Sequence, residues 1–271
     1  MRVDLYLYQN GHSESREQAR RLIEAGAVRL DGVTVKKPSL AVDENMTHEV
    51  EIVKPASERY VSRGGLKLER ALEYFHISPE GLVALDIGAS TGGFTDCMLQ
   101  RGARRVYAID SGEGQLHPRL RADSRVVNIE KCNARALQPS QIGEPAALAV
   151  MDVSFISQTC ILPVIPPLLT EDGMLISLIK PQFEAGRGAV GKGGIVRRRE
   201  HRESAVRRVL EGANAVGLTC VGLTVSPITG GDGNVEYLAL FCRHGEGRNP
   251  IDDGTVRAVT EIMKIGGDSE R

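Results

Sequence analysis

The 271-residue chain is 41% hydrophobic and 25% charged, the balance of an ordinary globular protein that can bury a core without metal or disulfide support. Its net charge of −1 excludes nucleic-acid binding through overall charge, so any such contact must come from local patches. No apolar run approaches the roughly 18 residues of a membrane span. The start Met1-Arg2-Val3-Asp4 has no signal-peptide core. Cys97, Cys132, Cys160, Cys220 and Cys242 fall in no CxxC spacing, which argues for a reducing cytoplasm and against zinc.

Taken in chain order, Val3, Leu5, Leu7 and Tyr8 predict a short helix stopped by Asn10-Gly11. Ser15 with Gln18 three residues on has the form of a capping box, and Ala19, Leu22, Ile23 and Ala25 form the apolar stripe of a second helix ended by Gly26. Alternation around Asp31-Gly32 predicts a hairpin, and Val50 to Val53 a further strand. Pro55-Ala56-Ser57 marks the approach to a linker. This divides the chain into a small domain over 1–58, a linker at 59–62 and a large domain over 63–271.

From Gly64 the pattern becomes helix, strand, helix, strand. A helix over 66–75 precedes strands near 82–87, 105–110, 125–129, 146–151 and 174–179, with helices at 95–101, 158–169 and 200–216. That alternation predicts an α/β, doubly wound parallel sheet. Runs 218–226 and 235–243, joined by a turn through Gly230 and Gly233, leave no room for a helix and predict an antiparallel hairpin at one edge.

The sharpest motif joins the strand Leu85-Asp86-Ile87 to the loop Gly88, Ala89, Ser90, Thr91, Gly92, Gly93 and Phe94. The spacing is neither GxGxxG nor a P-loop, which favours a nucleoside ligand with an amino-acid tail over a pyrophosphate. Asp110 ends the next strand, where a carboxylate accepts both hydroxyls of a ribose. Asn133, after the third strand, suits an adenine edge or, equally, a turn. Lys67, Asp152, Lys180 and Glu236 stand where strands or helices begin or end, and in a parallel sheet 152 and 180 open onto the cleft of Asp86.

With the Asp86 loop, Lys67, Asp152, Lys180 and Glu236 resemble the Lys-Asp-Lys-Glu set of FtsJ-like ribose 2′-O-methyltransferases. The runs Val61 to Leu68, Asp86 to Thr95, Met151-Asp152-Val153-Ser154-Phe155-Ile156-Ser157 and Ile179-Lys180-Pro181-Gln182-Phe183-Glu184 are similar to the TlyA family, named as haemolysins and understood as rRNA cytidine 2′-O-methyltransferases. Residues 15–19 and 26–32 resemble the RNA-binding domain of ribosomal protein S-four. The resemblance implies a Rossmann-like class I methyltransferase sheet beside a small α+β RNA-binding domain. It implies S-adenosyl-L-methionine as cofactor, rRNA or ribosomal subunits as partner, and no metal or membrane. Members that modify both ribosomal subunits carry an Arg-x-Trp-Val linker; here the positions read Glu58-Arg59-Tyr60-Val61, which favours the large subunit and leaves the small subunit open.

Charge supplies the expected mechanism. A ribose hydroxyl must lose its proton as it attacks the methyl group, and a lysine accepts one only if its pKa falls well below about 10.4. Burial and a second cation, Lys67 beside Lys180, both act in that direction. Lys180 is therefore expected as general base, oriented by Lys67 and Asp152, with Glu236 holding Lys67 or the ribose. Candidate RNA contacts are Arg16, Arg20, Arg21, Arg29, Lys36 and Lys37 in the small domain and Arg63 at the start of the large one. A basic stretch over 187–208 adds Arg187, Lys192, Arg197 and Arg198, expected on a mobile glycine-rich loop, followed by Arg199, Arg202, Arg207 and Arg208. Two alternatives remain at this point: a ribosome-assembly factor with a silent methyltransferase fold, and a membrane-lytic protein.

Overall fold

The computed structural model describes residues 1–53, 59–243 and 249–262, and the chain divides into two compact units, Met1–Arg59 and Tyr60–Arg271. In the first, helices α1 (Val3–Gln9) and α2 (Arg16–Glu24) pack beside a three-stranded antiparallel sheet of β1 (Val28–Leu30), β2 (Val33–Thr34) and β3 (Val50–Ile52), in the order β2-β1-β3. Ser15 caps α2 by accepting from Gln18 N at 3.1 Å. The reciprocal bond of the expected box is displaced by one residue, since Gln18 Oε1 accepts from Glu14 N at 2.7 Å. The stripe of α2 (Ala19, Leu22, Ile23) closes on Val3, Leu7 and Val28 to form the unit's core. Asp31 and Gly32 both take positive φ, the hand that matches the twist of a two-residue hairpin.

The second unit opens with α3 (Gly64–Phe75). A seven-stranded sheet follows, with β4 (Val83–Ile87), β5 (Arg105–Ile109), β6 (Val126–Ile129), β7 (Ala146–Met151) and β8 (Leu169–Ile179) parallel. Then come β9 (Leu218–Val225) and β10 (Tyr237–Arg243), antiparallel to each other, with β10 against β8. The strand order is β6-β5-β4-β7-β8-β10-β9, so β9 rather than β10 forms the edge. Helices α4 (Gly93–Gln100), α5 (Pro118–Arg121), α6 (Pro181–Glu184), α7 (Arg199–Asn214) and α8 (Asp253–Glu261) complete the unit. Alternate residues of each strand feed two cores: Leu85 and Ile87 of β4 enter one, Ala84 the other, and Asp86 shares the face of Ala84. None of the described helices is long and apolar enough to cross a membrane.

The expected helix over 158–169 is absent. Three single 3₁₀ turns, Gln158–Cys160, Leu162–Val164 and Pro166–Leu168, replace it, and β8 begins at Leu169 instead of 174. Pro163, Pro166 and Pro167 remove the amide donors a continuous helix needs. Residues 54–58, including Glu58 of the unusual linker, lie outside the described residues. Tyr60 is only 7% exposed and belongs to the core of the second unit. It rests on Gly65, where a Cβ would stand 2.3 Å from its ring. Val61 N donates to Asp96 Oδ2 at 2.8 Å.

Candidate active site

Asp86 is fully buried at the end of β4. Its Oδ2 accepts from Thr95 N at 2.8 Å and Thr95 Oγ1 at 2.6 Å, which ties the strand to the first turn of α4. Oδ1 is buried and has no hydrogen-bond partner among the described residues. Burial pushes the carboxyl up to about 7 against the pull of the Thr95 bonds, with Asp152 and Asp110 adding to the rise. Gly88 takes φ +85°, and a Cβ there would lie 2.4 Å from the Asp152 carbonyl oxygen, so only glycine lets the loops after β4 and β7 touch. Asp110 Oδ2 accepts from Ser90 N at 2.8 Å and its Oδ1 from Gly112 N at 2.7 Å, joining the loops that follow β4 and β5. Asn133 Oδ1 accepts from Arg135 N at 3.1 Å, a turn contact, while the residue also lines the cleft.

Two adjoining hollows occupy the carboxyl ends of the parallel strands. The larger, about 600 Å³, is lined by Ile109, Asp110, Gln115, Cys132, Asn133 and Ile156 among others. The smaller, about 320 Å³, holds Arg63, Lys67, Thr91, Phe94, Lys180 and Thr229, with Asp86, Ala89 and Gly93 also on its wall. Gly88, Ser90, Asp152 and Ser154 border both. Gly92 borders neither; it caps the start of α4 at φ +96° and faces Leu116 and Leu120.

The four expected chemical residues form two lysine–carboxylate pairs. Lys67 Nζ donates to Glu236 Oε2 at 2.6 Å, with both side chains buried. Lys180 Nζ donates to Ser154 Oγ at 2.8 Å and meets Asp152 Oδ1 at 2.6 Å as an ion pair without hydrogen-bond alignment. Burial raises the Glu236 carboxyl, while Lys67 and then Lys180 pull it down and Asp152 pushes it up, so Glu236 feels the other three groups. The nearest ionisable partner of each lysine is a carboxylate rather than the other lysine. Glu236 does not line either hollow; it stands behind Lys67.

The basic residues separate by environment. In the first unit Arg16 pairs with Asp4, Arg20 with Glu24, Arg21 with Glu17 and Arg29 with Glu51, while Lys36 and Lys37 are exposed. In the second, Lys192, Arg197 and Arg198 are exposed, and the Arg187 side chain lies outside the described residues. The expected mobile loop forms two 3₁₀ turns, Arg187–Ala189 and Lys192–Gly194, and Asn234 holds its end by accepting from Val196 N and donating to Gly194 O, each at 2.9 Å. Arg202 is no surface cation. It is buried and donates to Tyr237 Oη and to the carbonyls of Arg197 and Thr260, because its position on α7 faces the core. Arg199 and Arg207 are engaged by acidic neighbours.

Reading the sequence missed Ser154, the Lys180 partner, and Phe155, which is 92% exposed at φ +65° with its ring 5.2 Å from that of Phe183. An exposed aromatic in the left-handed region beside an ionisable strand end is a signal only once coordinates are in hand.

The chain matches the FtsJ-like methyltransferase family over residues 60–243 and the S4 domain over residues 1–48. It is 44% identical to the 16S/23S rRNA (cytidine-2′-O)-methyltransferase TlyA of Mycobacterium tuberculosis, covering 96% of this chain and 97% of the relative. It is 46% identical to hemolysin A of Brachyspira hyodysenteriae, covering 89% and 99%. A solved structure under a hemolysin name from Streptococcus thermophilus superposes with a TM-score of 0.72 at 42% identity, covering 96% of this chain and 94% of that one. With this fold and these relatives, the chain belongs to the TlyA family of FtsJ-like methyltransferases.

Proposed function

We propose that the chain transfers a methyl group from S-adenosylmethionine to the ribose 2′-hydroxyl of a cytidine in rRNA, with the large subunit as substrate. The observation that carries this is the two carboxylate-paired lysines, Lys67 and Lys180, lining a hollow that shares a wall with a second, larger one. The cofactor fits the residues present. Asp86 Oδ1 is a buried acceptor without a donor, Gly88 admits close approach, and Asp110 stands where ribose hydroxyls are held in related sheets. Relatives named as cytidine-2′-O-methyltransferases, including one from Campylobacter jejuni named for 23S rRNA alone, support the acceptor.

When bound, the cofactor supplies an electrophilic methyl group on a sulfonium whose charge disappears on transfer. Lys180, in its neutral amine form, accepts the proton of the 2′-hydroxyl. Asp152 and Ser154 hold the ammonium that results. Glu236 fixes Lys67, which orients the ribose oxygen. Phe155 offers an exposed face on which an unstacked base rests. Residues 1–58 act as the RNA-binding domain, 59–62 as linker and 63–271 as the catalytic domain, with Lys36, Lys37, Arg63, Lys192, Arg197 and Arg198 at RNA phosphates.

The test is labelled methyl transfer to purified ribosomal subunits, with the modified position mapped for wild type and Lys180→Ala. The variant is expected to lose transfer by at least about a hundredfold while still binding S-adenosylmethionine. Near-normal turnover in the variant would remove Lys180 from the role of base. No labelled RNA with the wild type would favour an assembly factor.

A further inference from the structure

Polar groups that the proposed reaction leaves unused gather behind Lys180. Glu184 closes α6, is 2% exposed, and borders neither hollow. Its Oε1 accepts from Gln158 N at 2.8 Å and its Oε2 from Ser157 Oγ at 2.6 Å. Gln158, also buried, donates to Leu178 O at 2.6 Å and accepts from Ser177 Oγ at 2.7 Å. Ser177 and Leu178 lie on β8, which leads directly into Lys180. Residues 157–158 are thereby tied both to the strand before Lys180 and to the helix after it.

Burial raises the Glu184 carboxyl above its ordinary range, opposed by the Ser157 and Gln158 bonds and by Arg208. Among the described residues no cation forms an ion pair with it; Arg208 donates to its backbone oxygen at 3.2 Å. A carboxylate in that position is costly, and apolar packing would hold α6 equally well. What the carboxylate does is fix a distance. The strap 152–156 carries Asp152 and Ser154, the two groups that hold Lys180 Nζ. Its start is held by Asp152 N donating to Ile87 O at 3.0 Å, and its end by Glu184 through Ser157 and Gln158.

We propose that Glu184 is a positioning residue: it holds the end of the 152–156 strap against α6 and so sets where Asp152 and Ser154 meet Lys180 and how Lys180 faces the ribose hydroxyl. The proposal rests on Lys180 being the base.

Single-turnover methyl transfer with the full chain tests it. In Glu184→Ala the rate is expected to fall about 30-fold, the scale of a small misplacement of a reacting group, with RNA KM and cofactor Kd unchanged. Glu184→Gln, which keeps an acceptor for Gln158 N, is expected to recover most of the rate. A merely structural defect raises RNA KM or cofactor Kd and is not rescued by the conservative variant, so an unchanged rate, a raised KM or Kd, or a Glu184→Gln as slow as Glu184→Ala overturns the proposal. If Glu184→Ala loses cooperative melting, Ser157→Ala, which removes one of the two bonds, gives a smaller fall in rate with KM and Kd again unchanged, and a wild-type rate there overturns the proposal as well. Lys180→Ala run in parallel separates the failures: near-normal turnover in it sinks the base assignment, whereas a Lys180→Ala slowed by about a hundredfold or more beside a wild-type-like Glu184→Ala sinks only the positioning role.

Discussion

Asp86 carries two tasks on its two oxygens. One binds Thr95 twice and fixes the loop, and the other is buried without a donor among the described residues. Its folded value near 7 lies above the ordinary 3.8, so between about pH 4 and 7 the folded state binds the extra proton and this residue's contribution to stability falls as pH rises through that window. A ligand donor reaching Oδ1 favours the ionised form, so S-adenosylmethionine affinity should increase as pH rises through about 7. Asp86→Asn keeps an acceptor for Thr95 and places an NH₂ where the orphan oxygen stood. Calorimetry should find Kd for S-adenosylmethionine raised by about tenfold or more and its pH dependence gone, with melting at neutral pH undiminished; an unchanged Kd would show that Oδ1 faces no ligand donor. At this scale the ionisable strand ends were legible in the sequence because topology places them together. The roles of Ser154, Gln158 and Glu184 were not: Ser154 and Glu184 stand in the runs that carry the family resemblance, but which polar group a single side chain will meet in space leaves no pattern in sequence.

Among elements, the hairpin of the first unit is held at its turn by charge. His48 Nδ1 meets Asp31 Oδ2 at 2.7 Å, and Glu49 N donates to Asp31 Oδ1 at 2.9 Å. The Asp31 bond raises the His48 value above 6.5, so its stabilisation is fully present below the unfolded value and is lost as pH rises through the folded one. The protection factor of the Glu49 amide, measured by hydrogen exchange in the full chain, should fall as pH rises above 6.5. In His48→Gln that decline should vanish; if it persists, another group controls the turn. The hairpin and the α2 stripe were readable because each has a period and a stop residue. The stretch 158–169 was not, because its apolar spacing imitates a helix while Pro163, Pro166 and Pro167 break the ladder. Arg202 was misread for a related reason: a run of arginines looks uniformly solvated until the helix phase turns one inward.

For the whole molecule, a net charge of −1 leaves RNA attraction to separate exposed cations. Affinity for ribosomal RNA should fall linearly with the logarithm of salt, by about 0.7 to 0.9 per phosphate contact. The double change Lys36→Gln, Lys37→Gln should flatten that slope by roughly 1.5 without altering S-adenosylmethionine binding. An unchanged slope would remove the first unit's lysines from the interface. The alternation of helix and strand made the large sheet legible, since each amphipathic period must cover a sheet face. The insertion of β10 between β8 and β9 was not, because pairing order between distant strands leaves no local trace.

Gly88, Ser90, Asp152 and Ser154 form a partition with a compartment on either side. A single inhibitor with an adenosine-like group in the larger space and a ribose mimic in the smaller would span it, its tether turning the second contact into an intramolecular event that multiplies affinity. Escape from such a compound would be constrained, because a side chain added at Gly88 strikes the Asp152 backbone and so damages the enzyme along with the inhibitor's seat.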